Sequence, residues 1–431
     1  MRSPTSRIFA FALLLCLSRL STAAVELIDG PILPGFGDDY TEEANGIVEE
    51  VILQGARHVV DNTKRYTPGV RVNARSRSPE QCLHGHVSNG HTLATFATAG
   101  GLRNLYKWVR GHAGWAHTFN YHHKSALLVA IDYNLLYMAK DIWSHGHPFA
   151  YNRTSQLHFG NRSTTALSYM MEKHWPLRGF EAAWDAGERF SSGSFISYGK
   201  SKTKYKRDDI IGYLRDEETN PENNTRLQTL INKFEAFELT KHARLTDLYR
   251  VNQDEHCSLL SGISNGINSA IDKGILNEKV AMSFNIHGLP LLHYLVSFNI
   301  VPAVKKALQQ EYGAALALER DITGRDGLIT AIEAHNIEIA RMLLDIKPDL
   351  ATTMIPDKDG YKRKGDSPLH FAIRKGVPVN IIKLLLERSN RALLTYQDAA
   401  GYTPASLLEY LHDDERISGE RYLAVRRALK N

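Results

Sequence analysis

The chain has 431 residues, of which 43% are hydrophobic, so it is long and apolar enough to form one or more packed domains. Its 52 lysines and arginines and its 47 aspartates and glutamates leave a formal net charge of only +5 at pH 7. A charge this small over such a length does not indicate a nucleic-acid-binding protein, and we predict no nucleic-acid partner.

The amino-terminal residues have the pattern of a secretory signal. Arg2 and Arg7 precede an apolar run from Ile8 to Leu17, and Ser21-Thr22-Ala23-Ala24 offers small residues for cleavage. The run is too short to span a bilayer, and no later segment is long and apolar enough to do so. We therefore expect residues 1–24 to be removed and the mature chain to be secreted, with an uncleaved anchor as the alternative.

The export signal makes disulfide formation and N-glycosylation relevant to this chain. Cys82 and Cys257 remain once the segment containing Cys16 is removed. They are candidates for one disulfide bond between the start and the end of the central region, and two buried free thiols are the alternative. The candidate glycosylation sites, each in an Asn-x-Ser/Thr sequence, are Asn152, Asn161 and Asn223.

The central region, residues 25–284, shows mixed signals for secondary structure. Thr41 followed by two glutamates and a periodic apolar pattern predicts a capped amphipathic helix from Thr41 to about Val60. Apolar periodicity also predicts helix from Thr225 to about Arg250 and from Leu259 to Leu276. Between 70 and 200 the apolar runs are short and interrupted by Gly, His and Asn, so we predict an α+β domain.

Histidine is concentrated in the central region. Two His-x-His pairs would direct both rings to one face of a strand, an arrangement that suits zinc, copper or iron. A metal-dependent hydrolase is therefore one hypothesis, acid sensing by protonation is a second, and scattered structural histidines are a third. Ten of the nineteen histidines lie here: His84, His86, His91, His112, His117, His122, His123, His145, His147 and His158.

Asp132 ends the most apolar stretch of the chain, Leu127 to Ile131. A carboxylate at the end of a buried strand is a common place for catalysis or for a metal. The same position also suits a helix cap or a turn, and the sequence leaves both interpretations open.

The last third of the chain contains an internal repeat. Its four copies are marked by Gly288, Gly327, Gly365 and Gly401, which are 39, 38 and 36 residues apart. A period in this range indicates stacked supersecondary units. In the third copy Ser367 is a natural N-cap, Pro368 occupies the first helical turn, and two short apolar helices follow.

The copy Gly365-Asp366-Ser367-Pro368-Leu369-His370-Phe371-Ala372 resembles the core motif of the ankyrin repeat, and the resemblance covers about 285–425. Three features depart from that motif: Pro290 stands one place early, Thr330 stands where proline is expected, and Ser406 replaces the histidine. The resemblance implies an all-α helical repeat array that binds a protein partner and has no chemistry of its own. It also implies that His293 and His370 stabilise the turns of the repeats.

A second resemblance concerns residues 70–80, which are similar to the opening of the toxin-type mono-ADP-ribosyltransferases. It implies that NAD is a substrate, with Arg71 or Arg75 binding the dinucleotide. It further implies catalytic roles for Ser163, Gln253 and Glu255, because that chemistry needs a late glutamate. A competing version resembles the diphtheria-like branch, in which His84 would hold the nicotinamide ribose.

Together these patterns predict a signal peptide at 1–24, a histidine-rich α+β domain at 25–284 and ankyrin-like repeats at 285–425. We expect a secreted effector or toxin-like protein that binds a partner through the repeats, with a candidate ADP-ribosyltransferase domain. A non-enzymatic adaptor or inhibitor and a metal-dependent hydrolase are the alternatives. No transmembrane segment is predicted in the mature chain.

Overall fold

The computed structural model describes residues 25–65, 86–88, 91–111, 124–145, 166–188, 195–196, 204–205, 207–218, 220–236, 259–355 and 365–430. These residues are mostly helical and belong to two compact units. Unit 1 takes its described residues from Ile32–Ile52 and Ile263–Asn431, and unit 2 takes its own from Leu17–Pro31 and Leu53–Gly262.

The elements of the first part of the chain, in order, are α1 Thr41–Arg65, β1 His86–Ser88, β2 His91–Thr92, α2 Leu93–Ala99, α3 Arg103–Arg110, α4 Ala126–Asp132, α5 Leu136–His145, α6 Ala166–Glu172, α7 Leu177–Asp185, β3 Phe195–Ile196, β4 Lys204–Tyr205, α8 Arg207–Glu217 and α9 Asn224–Glu235. They are followed by α10 Leu259–Asp272, α11 Glu278–Ser283, β5 Asn285–Ile286, β6 Leu289–Pro290, α12 Leu291–Ser297, α13 Val301–Leu308, α14 Gly313–Leu318, α15 Gly327–Glu333, α16 Ile337–Ile346, α17 Pro368–Lys375, α18 Val379–Arg388, α19 Pro404–Asp413 and α20 Gly419–Lys430.

Unit 2 repeats one helical hairpin. In the pairs α2–α3, α4–α5 and α6–α7, the first helix ends at a residue with left-handed backbone, which reverses the chain into the second helix. The amide of the following residue then bonds the carbonyl five positions back, which satisfies an otherwise unpaired group at the helix end. The left-handed residues are Gly101, Asn134 and His174, and the amide-to-carbonyl bonds are Leu102 to Ala97 (2.8 Å), Leu135 to Ala130 (2.9 Å) and Trp175 to Met170 (3.0 Å).

The start of each hairpin is also set by local chemistry. The side chains of Thr92 and Ser125 cap α2 and α4 by accepting from backbone amides in the first turn. Each cap stands nine residues before its left-handed residue, Gly101 or Asn134. The first helix therefore has the same length in both hairpins.

Neighbouring hairpins of unit 2 pack through their first helices, α2 on α4 and α4 on α6. Trp175 is fully buried there, and its indole N–H donates to the Ile131 carbonyl and to Asn134 Oδ1, each at 3.0 Å. The helices α8 and α9 continue the packing. The Tyr213 hydroxyl on α8 donates to the Trp175 carbonyl at 3.0 Å, and the Phe234 ring on α9 lies 4.8 Å from that of Trp184.

The prediction of an α+β central domain receives only weak support. Among the described residues of unit 2, the named strands are the short antiparallel hairpins β1–β2 and β3–β4. Each stands directly before a first helix, α2 or α8, just as β5–β6 stands before α12 in unit 1. Where the structure describes this stretch, the short apolar runs mostly form short helices joined by turns.

Unit 1 is built from the predicted repeats. The hairpins α12–α13, α15–α16, α17–α18 and α19–α20 each turn at a left-handed residue that is followed by the same amide-to-carbonyl bond over five positions. Their first helices pack in chain order, and so do their second helices. The left-handed residues are Asn299, His335, Gly376 and Glu415.

The structure places the turn glycine of the second copy at a different residue from the one predicted. The glycine with left-handed backbone in the second copy is Gly324 (φ +77°), whereas Gly327 is the first residue of α15. Asp326 is the N-cap there, so Gly327 takes the place that Pro368 has in the third copy. Thr330 accordingly lies inside α15 rather than at the position expected for proline.

Residues 32–52 contact the start of the repeats at Ser283 and Asn285. The helix α1 begins at Thr41, as predicted, and the two Asn45 side-chain groups bond the backbone of Asn285 in β5 at 2.7 and 2.9 Å. The side chain of Asp38 also accepts from the Ser283 hydroxyl at 3.3 Å. The two Asn45 bonds satisfy backbone groups of β5, which pairs with β6 as its one partner strand in the described structure.

The helix α19 is the first helix of the last hairpin, and its outer face is polar. Ala405, Ser406, Glu409 and Tyr410 are exposed, while Leu369 and His370, which hold the equivalent early positions in α17, are buried beneath α19. A terminal repeat with a polar face is the arrangement that keeps such a stack soluble. Ser406 completes a capping box with Thr403, the role that His370 has with Ser367.

Candidate functional site

Each first helix of the repeats in unit 1 is preceded by a turn, and we call each turn before a first helix a finger. The finger at 321–325 is closed by Asp321, whose carboxylate accepts from the amides of Thr323 (2.8 Å) and Arg325 (3.0 Å). The Asp398 carboxylate closes the last finger in the same way, accepting from two amides at 2.9 Å. Side-chain closure of this kind fixes the shape of the turn before any ligand arrives.

Successive fingers also contact each other. The Gly288 carbonyl accepts from the Ile322 amide at 3.0 Å. Gly288 has φ +75°, and a Cβ there would lie 2.7 Å from Ile322 Cβ, so glycine is required both by the backbone and by the approach of the next finger. The first two fingers are thereby held in a defined register.

Two buried histidines connect neighbouring repeats, which agrees with the structural role predicted for them. The ring nitrogens of His293 lie 2.7 Å from Thr330 Oγ1 and 3.0 Å from the Glu319 carbonyl. Those of His370 lie 2.8 Å from Ser367 Oγ and 2.8 Å from the Tyr402 carbonyl in the next finger. Burial lowers the pKa of both rings, so they are neutral at pH 7.

A buried chain of charges runs across the same repeats. Arg325 contacts Asp321 Oδ2 at 3.0 Å and Glu333 Oε2 at 2.5 Å, and Lys375 Nζ contacts Glu333 Oε1 at 2.6 Å. Burial raises the pKa of Asp321, but the Arg325 guanidinium and the hydrogen bonds from Thr323 and the Arg325 amide outweigh that effect and hold the pKa below its usual value. Every charge in this chain therefore has an opposite charge within contact distance.

Arg374 connects the third and fourth repeats through ion pairs. Its guanidinium pairs with Asp398 of the following finger and lies 3.2 Å from Asp366 Oδ2. Both carboxylates are almost completely buried. The planar guanidinium holds the two acids at once, which a lysine ammonium would do less well.

Unit 2 contains the same kind of connection, and it includes Asp132. Asp132 is the last residue of α4, a helix rather than the strand considered from the sequence, and its carboxylate is buried. Its Oδ1 lies 2.8 Å from Lys173 Nζ and accepts from the Tyr169 hydroxyl at 2.5 Å, and its Oδ2 pairs with Lys124. Burial raises the pKa of Asp132, but the two lysines outweigh it and keep the group ionised.

The positions of these charges are equivalent in the two units. Asp132 and Glu333 each stand two residues before a left-handed residue, and Lys173 and Lys375 each stand one residue before the next one. Each lysine ammonium also lies over an aromatic ring of its own helix: Lys173 over Tyr169 at 5.3 Å and Lys375 over Phe371 at 5.4 Å. We call this acid–lysine–aromatic arrangement the inter-hairpin staple.

The exposed end of unit 1 carries an aromatic patch. The rings of Tyr402 and Tyr410 stack with centroids 5.3 Å apart, and the Arg416 guanidinium lies 6.0 Å from the Tyr410 ring. Tyr410 is 40% exposed. Tyrosine and arginine are the residue types that most often dominate protein–protein binding energy.

Most of the sequence-predicted site residues lie outside the described residues. This holds for the transferase candidates Arg71, Arg75, His84, Ser163, Gln253 and Glu255, for Cys82 and Cys257, and for the glycosylation candidates Asn152 and Asn161. Asn223 is described: it ends the short 3-10 helix Pro221–Asn223, is partly exposed, and accepts from Arg226 at 3.2 Å.

Within the described ranges, no group of three or more His, Cys, Asp or Glu side chains is arranged to hold a metal ion. In those ranges no helix is both long and apolar enough to cross a membrane. His91, the one member of the histidine-rich stretch with a described side chain, is buried in the finger before α2.

The geometry of unit 1 agrees with the comparison with known families. Residues 364–399 match the ankyrin repeat family model. No curated protein matches the chain. Among solved structures, the chain is similar to the ankyrin repeat domain of Bcl-3, titled a unique member of the IkappaB protein family, at 16% identity with a TM-score of 0.27, covering 79% of this chain and 99% of that one. The resemblance to ADP-ribosyltransferases receives no support from these comparisons.

The buried acids described above are all paired with cations. Asp321 and Asp398 also accept from amides of their own turns, whereas Glu333 is paired with Arg325 and Lys375. The staple and the aromatic patch were not predicted from the sequence. The signal for the staple was a lysine directly before the turn residue in both Lys173-His174 and Lys375-Gly376.

Proposed function

We propose that the chain is a secreted, effector-type or toxin-like protein that binds a partner protein through the ankyrin-like fingers and first helices of unit 1. The observation that carries the proposal is the match of residues 364–399 to the ankyrin repeat, in a stack whose fingers are closed by Asp321 and Asp398. A surface shaped before binding loses little conformational entropy on association. Export is an expectation from the amino-terminal sequence, and it places the partner outside the producing cell.

Unit 2 supports a wider form of the proposal. It contains the same hairpin, the same left-handed turn residue and the same staple as unit 1, at Asp132 and Lys173. We therefore propose that unit 2 is a second array of the same repeat class, and that its role is recognition. This favours a non-enzymatic adaptor or inhibitor over the transferase and the metal-dependent hydrolase.

Crosslinking from the intact protein tests the binding surface. A photo-crosslinking amino acid at Ala400, an exposed finger tip, is compared with one at Lys305, an exposed position on the second helix α13. A partner that is captured from Ala400 and not from Lys305 supports the proposal. Equal capture from both positions would show that the fingers are not the binding surface.

The captured partner then allows a quantitative test. Tyr410→Ala removes the exposed ring of the aromatic patch, and we expect binding to weaken by about 2 kcal/mol if the patch lies in the interface. Leu423→Ala, which also removes an exposed apolar side chain but lies on α20, serves as the matched control.

The enzymatic alternative has its own test. Full-length protein is incubated with NAD, and nicotinamide release is compared with that of Arg71→Ala and Glu255→Ala variants. Turnover that both substitutions abolish would replace the recognition proposal for the central region with the transferase.

Export is tested separately. The release of tagged protein into the medium is compared with that of a variant lacking residues 1–24, and equal release of the two would contradict the secretory signal.

A further inference from the structure

A groove of about 500 Å³ lies between the second helices α18 and α20 of unit 1. This volume falls within the range of ordinary ligand sites. Its floor is made of small or buried apolar side chains, chiefly Leu386, Ala424 and Ala428. The groove is on the second helices, so it does not belong to the fingers and first helices of the proposed protein-binding surface.

Two arginines hold the groove open at a fixed width. At one end the Arg421 guanidinium donates to the Val377 carbonyl at 2.6 Å, just before α18 begins. At the other end the Arg391 guanidinium donates to the Leu429 carbonyl near the end of α20. These hydrogen bonds connect the segments on either side of α18 to α20 at both ends of the groove.

The lining is basic. Lys383, Arg391 and Arg427 face one acid, Glu387. Lys383 and Arg427 are exposed, and within the described residues neither forms an ion pair or a hydrogen bond. The groove therefore has an uncompensated positive charge above an apolar floor.

The preceding pair of second helices has one ion pair at the corresponding place. Between α16 and α18, Asp345 Oδ1 lies 2.6 Å from the Arg388 guanidinium. Glu387 holds the position in α18 that Asp345 holds in α16, so it is the acid that this position contributes to the groove. Because Glu387 faces Lys383, Arg391 and Arg427, the lining keeps an excess of positive charge that a carboxylate from outside would offset.

We propose that this groove binds an acidic peptide segment of a protein partner, with glutamate or aspartate side chains on Lys383 and Arg427. Ala424 and Ala428 leave room for the peptide to approach the floor closely. Charge complementarity of this kind sets orientation and rate of association, and it makes binding salt-sensitive.

Full-length protein and two labelled peptides of equal length test the proposal, one of alternating glutamate and leucine and one of alternating glutamine and leucine. We expect the glutamate peptide to bind more tightly than the glutamine peptide, by at least about tenfold, and to be released by salt. Equal affinity for the two peptides, or no binding of either, would overturn the proposal.

Variants locate the binding. Lys383→Glu combined with Arg427→Glu should weaken the affinity for the glutamate peptide by at least about tenfold. Lys140→Glu combined with Lys305→Glu makes the same change in net charge at exposed positions outside the groove and should leave binding unchanged. Equal losses in the two double variants would mean that net charge alone is responsible, and the groove would be rejected.

A steric variant avoids any effect of charge on folding. Ala424→Leu fills part of the groove without changing a charge and should also abolish binding, with unchanged circular dichroism. Retention of full binding by this variant would contradict the assigned site. Vesicles that contain an acidic lipid test the competing ligand. If the protein binds these vesicles, the Lys383 and Arg427 double variant does not, and the glutamate peptide fails to compete with the vesicles, then the groove binds lipid and the peptide proposal is overturned. If the glutamate peptide displaces the vesicles, the peptide proposal stands.

Discussion

Lys375 reaches back from the end of α17 to Glu333 at the end of α15, with 2.6 Å between Nζ and Oε1. Lys173 and Asp132 form the same contact at 2.8 Å between the first helices of unit 2. Ion pairs at exposed positions contribute little, but pairs that are buried are costly to break because the remaining charge has no solvent. The staples therefore make the hairpin boundaries sensitive to single substitutions.

For unit 1 we predict that Glu333→Ala lowers the free energy of unfolding by about 3–5 kcal/mol, because Arg325 and Lys375 remain buried without their acid. Arg388→Ala removes a more exposed pair with Asp345 and should cost less than about 1 kcal/mol. Urea unfolding of both variants measures the difference. Similar losses in the two would show that burial of the staple has no energetic consequence.

For unit 2 we predict that Asp132→Asn is destabilising by about 3–5 kcal/mol, since it leaves Lys124 and Lys173 without a counter-charge. Thermal unfolding measures the loss. The control is Asp185→Asn, which removes an exposed partner of Lys233. A variant at Asp132 with unchanged stability and a lost activity would assign the residue to catalysis instead.

We predict that unit 1 loses stability in acid, because it contains buried histidines. Burial lowers the pKa of His287 to about 3, and burial also lowers the pKa values of His293, His335 and His370. The unfolded chain takes up protons below about pH 6.5 while these folded-state rings do not, so stability is full above that pH and falls below it. His287→Asn keeps a residue that tolerates φ +54° and should reduce the slope of stability against pH.

Glu319 should have the opposite effect. Burial raises the pKa of its carboxyl from 4.5 to about 8. Between pH 4.5 and about 8 the folded state holds a proton that the unfolded state has lost. The contribution of Glu319 to stability therefore falls as the pH rises through this range. We expect Glu319→Gln to remove this contribution to the slope of stability against pH between about 4.5 and 8. An unchanged slope in that range would show that the group titrates normally.

Left-handed turn residues other than glycine store strain. Glu415 has φ +54°, a conformation that costs a residue with a Cβ about 1 kcal/mol. Glu415→Gly should therefore stabilise unit 1 by about 1 kcal/mol. Arg341→Gly, at an exposed position inside α16, should destabilise it by about 1 kcal/mol. A loss of stability in both variants would contradict the strain.

The C-terminal array was predictable because Gly365-Asp366-Ser367-Pro368 places a turn, a cap and a helix start in consecutive residues. The hairpins of unit 2 were not, because Thr92 and Ser125 are followed by Leu93 and Ala126 rather than by proline. Their left-handed residues include Asn134 and His174, which a search for glycine does not find.

The site was less predictable than the fold. His293 and His370 could be assigned from the repeat motif, whereas Asp132 could not, because its partners Lys173 and Tyr169 lie about forty residues further along the chain. Their meeting depends on how α4 packs on α6. Pairing at that distance is decided by tertiary structure, which local patterns do not contain.

The first helices in each unit pack in chain order, α2 on α4 on α6 in unit 2 and α12 on α15 on α17 on α19 in unit 1. A force applied along the stack would therefore act on all of these boundaries in series, and the weakest boundary would open first because each hairpin contacts only its neighbours. The boundaries that carry a buried staple would resist opening longest. Under tension, such an array would lengthen in steps.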